Sequence, residues 1–144
     1  MVDVGILDTI GDTPIVPLRR IVPASGAEIW VKLEYRNPTG SMKDRMGLSM
    51  IEGAERDGLI EPGTTVVEYT GGSTGPALAL VCGAKGYRAR IVISECFSEE
   101  RLQLMRALGA ELDVIPAVEE RGRVTAQDIR NMVERAAELA REPG

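Results

Sequence analysis

Thr64-Thr65-Val66-Val67-Glu68-Tyr69-Thr70-Gly71-Gly72-Ser73-Thr74-Gly75-Pro76-Ala77-Leu78-Ala79-Leu80-Val81-Cys82-Gly83-Ala84 is the stretch that decides how this chain folds. Residues 64–69 are short and rich in β-branched side chains, the composition of a strand. Residues 76–84 are apolar on every side and predict a helix buried over most of its surface, with Pro76 suited to its first turn. Between them, residues 70–75 form a glycine-rich loop from strand to helix, the place where open α/β sheets bind ligands. Gly71, Gly72 and Gly75 let a ligand approach the backbone, and N–H groups at the helix start favour an anion. Thr70, Ser73 and Thr74 add hydroxyl donors. The loop lacks the Gly-Lys-Ser/Thr ending of a nucleotide-phosphate loop, and its glycine spacing fails the dinucleotide fingerprint. A tight glycine turn with no ligand is the competing reading of the loop by itself.

The alternation continues on both sides. Residues 88–93 predict a second strand of parallel type. Ser98 then caps a helix with an acidic first turn and a Leu102, Met105, Leu108 stripe, stopped by Gly109. Residues 111–115 predict a third strand, and residues 117–123 are polar and loop-like. Thr125 and Asp128 stand at capping-box spacing before a helix striped by Ile129, Met132, Val133, Ala136 and Ala140. Upstream, residues 42–57 predict a helix with Met46, Met50, Ile51 and Ala54 on one stripe and Gly58 just past its end. Residues 28–34 alternate polar and apolar, as in a strand with one buried face. Residues 15–18 are a short extended piece limited by prolines, and residues 1–14 read as an arm with a helical turn. Strand and helix alternate from Lys43 onward, so the expected fold class is α/β, a parallel sheet covered by helices.

Asn37-Pro38-Thr39-Gly40-Ser41-Met42-Lys43-Asp44-Arg45 leads into the first of these helices. Ser41 is a good N-cap, which puts Lys43 in the first helical turn. The positive end of the helix dipole disfavours a cation there and suits an amine that acts as a nucleophile. Taken alone, the more ordinary reading is a solvated surface lysine compensated by Asp44.

Composition narrows the function classes. The chain has 144 residues, 44% of them hydrophobic, enough for one domain with a core and too many for general disorder. Aromatic residues are only 3%, so the core must be aliphatic. The net charge of −5 is spread over both signs, with no basic patch for nucleic acid. No apolar run of about 18 residues predicts a membrane span, and the N-terminus lacks the basic start of a signal peptide. Cys82 and Cys96 have no metal or redox spacing, and Cys82 in its apolar helix predicts core packing. These features fit a reduced, cytoplasmic protein. Histidine is absent, so Ser-His-Asp and Cys-His chemistry are excluded, and a general base must be lysine, carboxylate, tyrosine or a cofactor group.

Three motifs carry a resemblance. Residues 37–45 resemble the cofactor-lysine motif of fold-type II pyridoxal-phosphate enzymes. Thr70-Gly71-Gly72-Ser73-Thr74-Gly75 resembles the Thr-Ser-Gly-Asn-Thr-Gly loop of the cysteine synthase and cystathionine β-synthase group. Gly11-Asp12-Thr13-Pro14-Ile15-Val16 resembles that group's Gly-Asn-Thr-Pro-Leu-Val opening. The three come in the family's order and spacing and cover the chain to about Pro116.

The resemblance implies that Lys43 holds pyridoxal 5'-phosphate as a Schiff base and later takes the substrate's α-proton. It implies that Thr70, Gly71, Gly72 and Thr74 seat the carboxylate of a small amino-acid substrate, with Ser73 at the cofactor ring. The activity implied is β-elimination and β-replacement on an O-activated serine, a lyase or transferase chemistry of cysteine biosynthesis. Ser73 stands where the family has asparagine and Gly71 where it has serine, which puts substrate identity in question. Residues 1–40 would be an arm of a large domain and residues 41–144 the small domain, with Ile15, Val16, Leu18, Trp30, Val31 and Leu33 against the large one. The family runs roughly as long again and carries its phosphate cup there, so the chain reads as an N-terminal portion with low or no activity alone. A homodimer is implied for the full-length family. A threonine-synthase-like enzyme and a non-catalytic α/β module are the alternatives.

Overall fold

The chain begins with an antiparallel pair, β1 (Ile15–Pro17) and β2 (Trp30–Lys32), with Val16 opposite Val31. The computed structural model describes residues 5–23, 25–120 and 122–142. Helix α1 (Lys43–Arg56) leads into β3 (Thr65–Tyr69), α2 (Thr74–Lys85), β4 (Arg88–Ser94), α3 (Glu99–Ala107), β5 (Glu111–Ile115) and α4 (Ala126–Leu139). Strands β3, β4 and β5 lie side by side in that order, all parallel, with Tyr69 opposite Val92 and Ser94 opposite Ile115.

Strand β4 shows why the sheet needs cover on both faces. Ala89, Ile91 and Ile93 join a core with Ile51, Leu78, Val81, Cys82 and Met105 from the first three helices. Val92, pointing the other way, packs with Met132, Ala136 and Leu139 of α4. A central parallel strand buried on both faces reads as an apolar run, as Ile91-Val92-Ile93 does here. Cys82 is fully buried as expected, and burial pushes its thiol up to about 11.

Three expectations need correction. The strand over residues 28–34 is only Trp30–Lys32, and its expected buried face is half-covered: Val31 and Leu33 are half-buried, whereas Ile29 is 47% exposed and Trp30 on the other face 53%. After Leu33 the chain leaves the ladder for a 3₁₀ turn at Glu34–Arg36, where Arg45 claims the Glu34 carboxylate. The stripe of α1 is not Met46–Met50; the buried face runs through Asp44, Gly47 and Ile51, and Met50 is exposed. Its centre is a glycine because α1 touches α2 there: a Cβ at Gly47 would lie 3.2 Å from the backbone C and O of Ala77. The stripe of α4 is likewise turned, through Asp128, Met132, Ala136 and Leu139, leaving Ile129 and Val133 at the surface.

Asp128 explains that turn. It is fully buried and accepts from the Ser94 hydroxyl at 3.2 Å, the Val118 N–H at 2.9 Å and the Thr125 N–H at 2.8 Å. The Thr125 hydroxyl donates to it at 2.6 Å and in return accepts the Asp128 N–H, so the expected capping box forms. One carboxylate therefore joins the end of β4, the loop after β5 and the start of α4. Ser98 also occupies its expected N-cap position, although its side chain makes no capping bond to the backbone.

Two tests follow from this packing. Gly47→Val should destabilise the fold by about 1–3 kcal/mol through overpacking against immobile backbone. A urea midpoint equal to that of the wild type would refute the close approach. Asp128 has its pKa held down to about 2 from 3.8, chiefly by the Thr125 hydroxyl and then by the N–H groups of Val118 and Thr125. Its stabilising contribution is complete above 3.8 and is lost as pH falls toward about 2. Asp128→Asn should flatten the fall in stability across that window, and an acid limb of unchanged slope would count against it.

Candidate active site

Helices α2 and α3 follow β3 and β4, so both begin at the C-terminal edge of the sheet. Helix α1 ends at the turn that enters the opposite end of β3, so it too begins at the C-terminal edge. The contact of Gly47 with Ala77 aligns the first two, because Lys43 and Ser73 each stand one turn upstream of it.

Lys43 is the first residue of α1 and is half-buried. The helix starts two residues after Ser41, whose Oγ accepts the Lys43 N–H at 3.1 Å. Asp44 does not compensate the lysine. It is fully buried and accepts from the Thr39 N–H at 2.7 Å and from the Thr39 hydroxyl. Among the described residues the Lys43 Nζ has neither a hydrogen-bond nor an ion-pair partner.

The segment before Lys43 is tied to the rest of the chain by a polar cluster. Asn37 is buried; its Oδ1 accepts the Gly11 N–H at 2.9 Å and its Nδ2 donates to the Glu34 carbonyl at 2.8 Å. Arg45 grips Glu34 with Nε at 2.9 Å and Nη2 at 3.0 Å, and Nη2 also reaches the Thr13 hydroxyl at 3.1 Å. The Arg45 guanidinium, helped by the Thr13 hydroxyl, holds the Glu34 carboxyl at about 2, below its usual 4.5.

Thr70, Gly71, Gly72, Ser73 and Thr74 form one loop beside that helix start. Thr70 is buried, and its N–H extends the strand pairing by donating to the Val92 carbonyl at 3.0 Å. Its hydroxyl works inside the loop, accepting the N–H groups of Gly72 at 3.2 Å and Gly75 at 3.3 Å. Gly75 has no space for a side chain, since a Cβ would stand 2.5 Å from the Met105 Sδ and 2.6 Å from the Thr70 Cγ2. Among the described residues, the N–H groups of Gly71, Ser73 and Thr74 and the hydroxyls of Ser73 and Thr74 have no protein partner. Unpaired donors at the start of α2 form a seat for an anion.

Two residues here escape sequence reasoning, Phe97 and Arg101. Phe97 lies against Gly71, and Arg101 donates to the Gly71 carbonyl at 2.7 Å. The available sign is Gly71 itself, smaller than the serine of the resembled loop. A cavity of about 610 Å³ lies at the opposite edge of the sheet, between Thr64, Arg88, Arg90 and Leu139. Arg90 there is paired with Asp113 and Glu142.

A lysine at one helix start and unpaired donors at the next mark the candidate ligand site of an α/β unit. Residues 6–144 match the family described as pyridoxal-phosphate dependent enzyme, and the chain belongs to it. It is 48% identical over 140 residues to the cysteine synthase of Staphylococcus aureus (strain N315), covering 97% of this chain and 43% of that one. It is 50% identical over 121 residues to cysteine synthase B of Salmonella typhimurium, covering 84% of this chain and 39% of that one. Among solved structures, cysteine synthase from Entamoeba histolytica superposes with a TM-score of 0.85 at 36% identity, over 97% of this chain and 40% of that one. An O-ureido-L-serine synthase superposes with a TM-score of 0.79 at 42% identity, over 94% and 41%. The α/β fold expected from the sequence is therefore the fold of this family, and the chain spans less than half the length of these relatives.

Thr70→Val keeps the shape of the side chain and removes the loop's internal acceptor. Amide exchange at Gly72 and Gly75 should speed up roughly tenfold, the worth of one or two lost hydrogen bonds. Thr70→Ser should exchange like the wild type. Unchanged exchange in the valine variant would show that the hydroxyl does not hold the loop.

Proposed function

We propose that the chain supplies the cofactor lysine and the substrate loop of a cysteine-synthase-type enzyme, one that eliminates the activated oxygen of an O-activated serine and adds a thiol or sulfide at the β-carbon. The observation that carries this reading is the Lys43 amine, half-buried at the positive end of α1 with no acid or acceptor competing for it among the described residues. Such an amine fits pyridoxal 5'-phosphate. When bound, the cofactor supplies a carbonyl for the lysine and an electron sink for the substrate's α-carbon.

The chain's residues divide the remaining work. Lys43 holds the cofactor and, with its amine released, takes the proton from the substrate's α-carbon. The N–H groups of Gly71, Ser73 and Thr74, with the Thr74 hydroxyl, bind the α-carboxylate, and Gly72 leaves room for its approach. Thr70 fixes those donors through its bonds to Gly72 and Gly75. Ser73 offers the cofactor ring a hydroxyl.

Residues 1–40 belong with a large domain and residues 41–144 form the small one. The exposed Ile15, Ile29 and Trp30 support this, since they offer the first an apolar face to pack. The complete protein would be a cytoplasmic homodimer acting on a small amino acid, with no nucleic-acid or membrane partner. No helix among the described residues is long and apolar enough to cross a membrane.

Incubation with pyridoxal phosphate, borohydride reduction and peptide mapping test the assignment. The reduced adduct should lie on Lys43. Lys43→Ala should lose it without loss of helical circular dichroism, because alanine suits a first helical turn. Label at Lys32 or Lys85 instead, or an undiminished adduct in the alanine variant, would overturn the reading.

A further inference from the structure

The turn after β4 and the first turn of α3 grip Gly71 from two sides. On one side the Phe97 ring lies so close that a Cβ at residue 71 would stand 2.8 Å from Cε1 and 3.2 Å from Cε2. The ring is itself held, because Phe97 packs against both hydrophobic cores. Gly71 is not among the glycines with positive φ, so crowding and not backbone strain keeps a side chain out. On the other side the Arg101 Nη1 donates to the Gly71 carbonyl at 2.7 Å. Arg101 makes no ion pair among the described residues, so that carbonyl is its one partner.

The Gly71 carbonyl and the Gly72 N–H belong to one planar peptide unit. Arg101 holds the carbonyl end and the Thr70 hydroxyl holds the N–H end at 3.2 Å. A plane pinned at both ends does not rotate, and the unpaired N–H groups on either side of it keep their direction.

We propose that Phe97 and Arg101 are positioning residues of the substrate loop, and that Phe97 fills the volume of a side chain at residue 71, leaving a carboxylate seat with no side chain there. The proposal rests on the carboxylate role given to the loop above. Both residues act through Gly71. A hydroxyl-bearing side chain at 71 and the Phe97 ring in this position compete for one volume, so residue 97 bears on which groups can grip the substrate's carboxylate.

Two sets of measurements test it. The first needs no cofactor: thermal midpoints and amide exchange of the 144-residue chain for Gly71→Ser, Phe97→Ala, their double variant, Arg101→Ala and Arg101→Lys. Gly71→Ser should lower the midpoint, and the double variant should melt above the value expected from adding the two single changes. Arg101→Ala should speed exchange at Gly72 roughly tenfold, the loss expected for one charge-assisted hydrogen bond, and Arg101→Lys, which keeps a donor, should speed it less. If Phe97→Ala does not fold, Phe97→Leu carries the double variant. The second set uses the complete protein with its cofactor. Arg101→Ala should raise KM for O-acetylserine roughly tenfold while kcat stays within about threefold, the mark of lost substrate binding. Additive midpoints would overturn the pairing of residues 71 and 97. Unchanged exchange at Gly72 or an unchanged KM in Arg101→Ala would overturn the positioning role. Absence of a Lys43 adduct would overturn the functional reading instead, and the first set would still decide the clamp.

Discussion

The close approach of backbone to backbone at Gly47 and Ala77 is the constraint on which the site depends. Parallel strands joined by helices put every helix start at one edge of a sheet, but that rule leaves the spacing between helices loose. Here the spacing is set by what is missing. With no side chain at 47, α1 settles onto α2, and with none at 75, the first turn of α2 settles onto Met105 of α3. Helix α2 is thus fixed on both flanks near its N-terminus. The lysine and the anion seat are neighbours because two glycines remove the spacers that would hold their helices apart.

The polar cluster around Glu34 answers a different need. A lysine at the start of a helix is only as well placed as the loop that precedes it. Residues 34–41 are anchored through Asn37, Thr39, Glu34 and their partners Gly11, Thr13, Asp44 and Arg45. Buried polar groups are costly unless every one is bonded. Among the described residues, no buried side-chain nitrogen or oxygen lacks a partner. The cluster therefore orders the loop without leaving a desolvated group, and it joins Gly11, Thr13 and Glu34 to α1 although Ile15, Ile29 and Trp30 stay exposed.

Much of this was legible in the sequence because local signals agreed with one another. The three parallel strands and the helices between them announced themselves by composition and by stop signals such as Gly58 and Gly109, both at positive φ. The two helix errors share one cause. Periodicity was read from apolar side chains, whereas the faces of α1 and α4 that turn inward are centred on Gly47 and Asp128. A glycine chosen for closeness and an aspartate chosen as a hub are both silent in a hydrophobic pattern. In the same way, residue types alone pointed to the loop at 70–75 as either a candidate anion seat or a tight glycine turn. They could not show that the Thr70 hydroxyl is spent inside it, nor that Phe97, far along the chain, sets the size of residue 71.

The two departures from the resembled loop can be weighed against that geometry. A serine at 71 would add one hydroxyl donor, and an asparagine at 73 a longer reach. Neither change touches the unpaired N–H groups of Gly71, Ser73 and Thr74, which come from the backbone and survive substitution. Fixed dipoles in a preorganised loop bind an anion without the rotamer entropy that a side-chain donor loses. On the proposed reading, the seat keeps its hold on the carboxylate, the part common to all amino-acid substrates. Discrimination among β-substituents must then come from groups that do not grip the carboxylate.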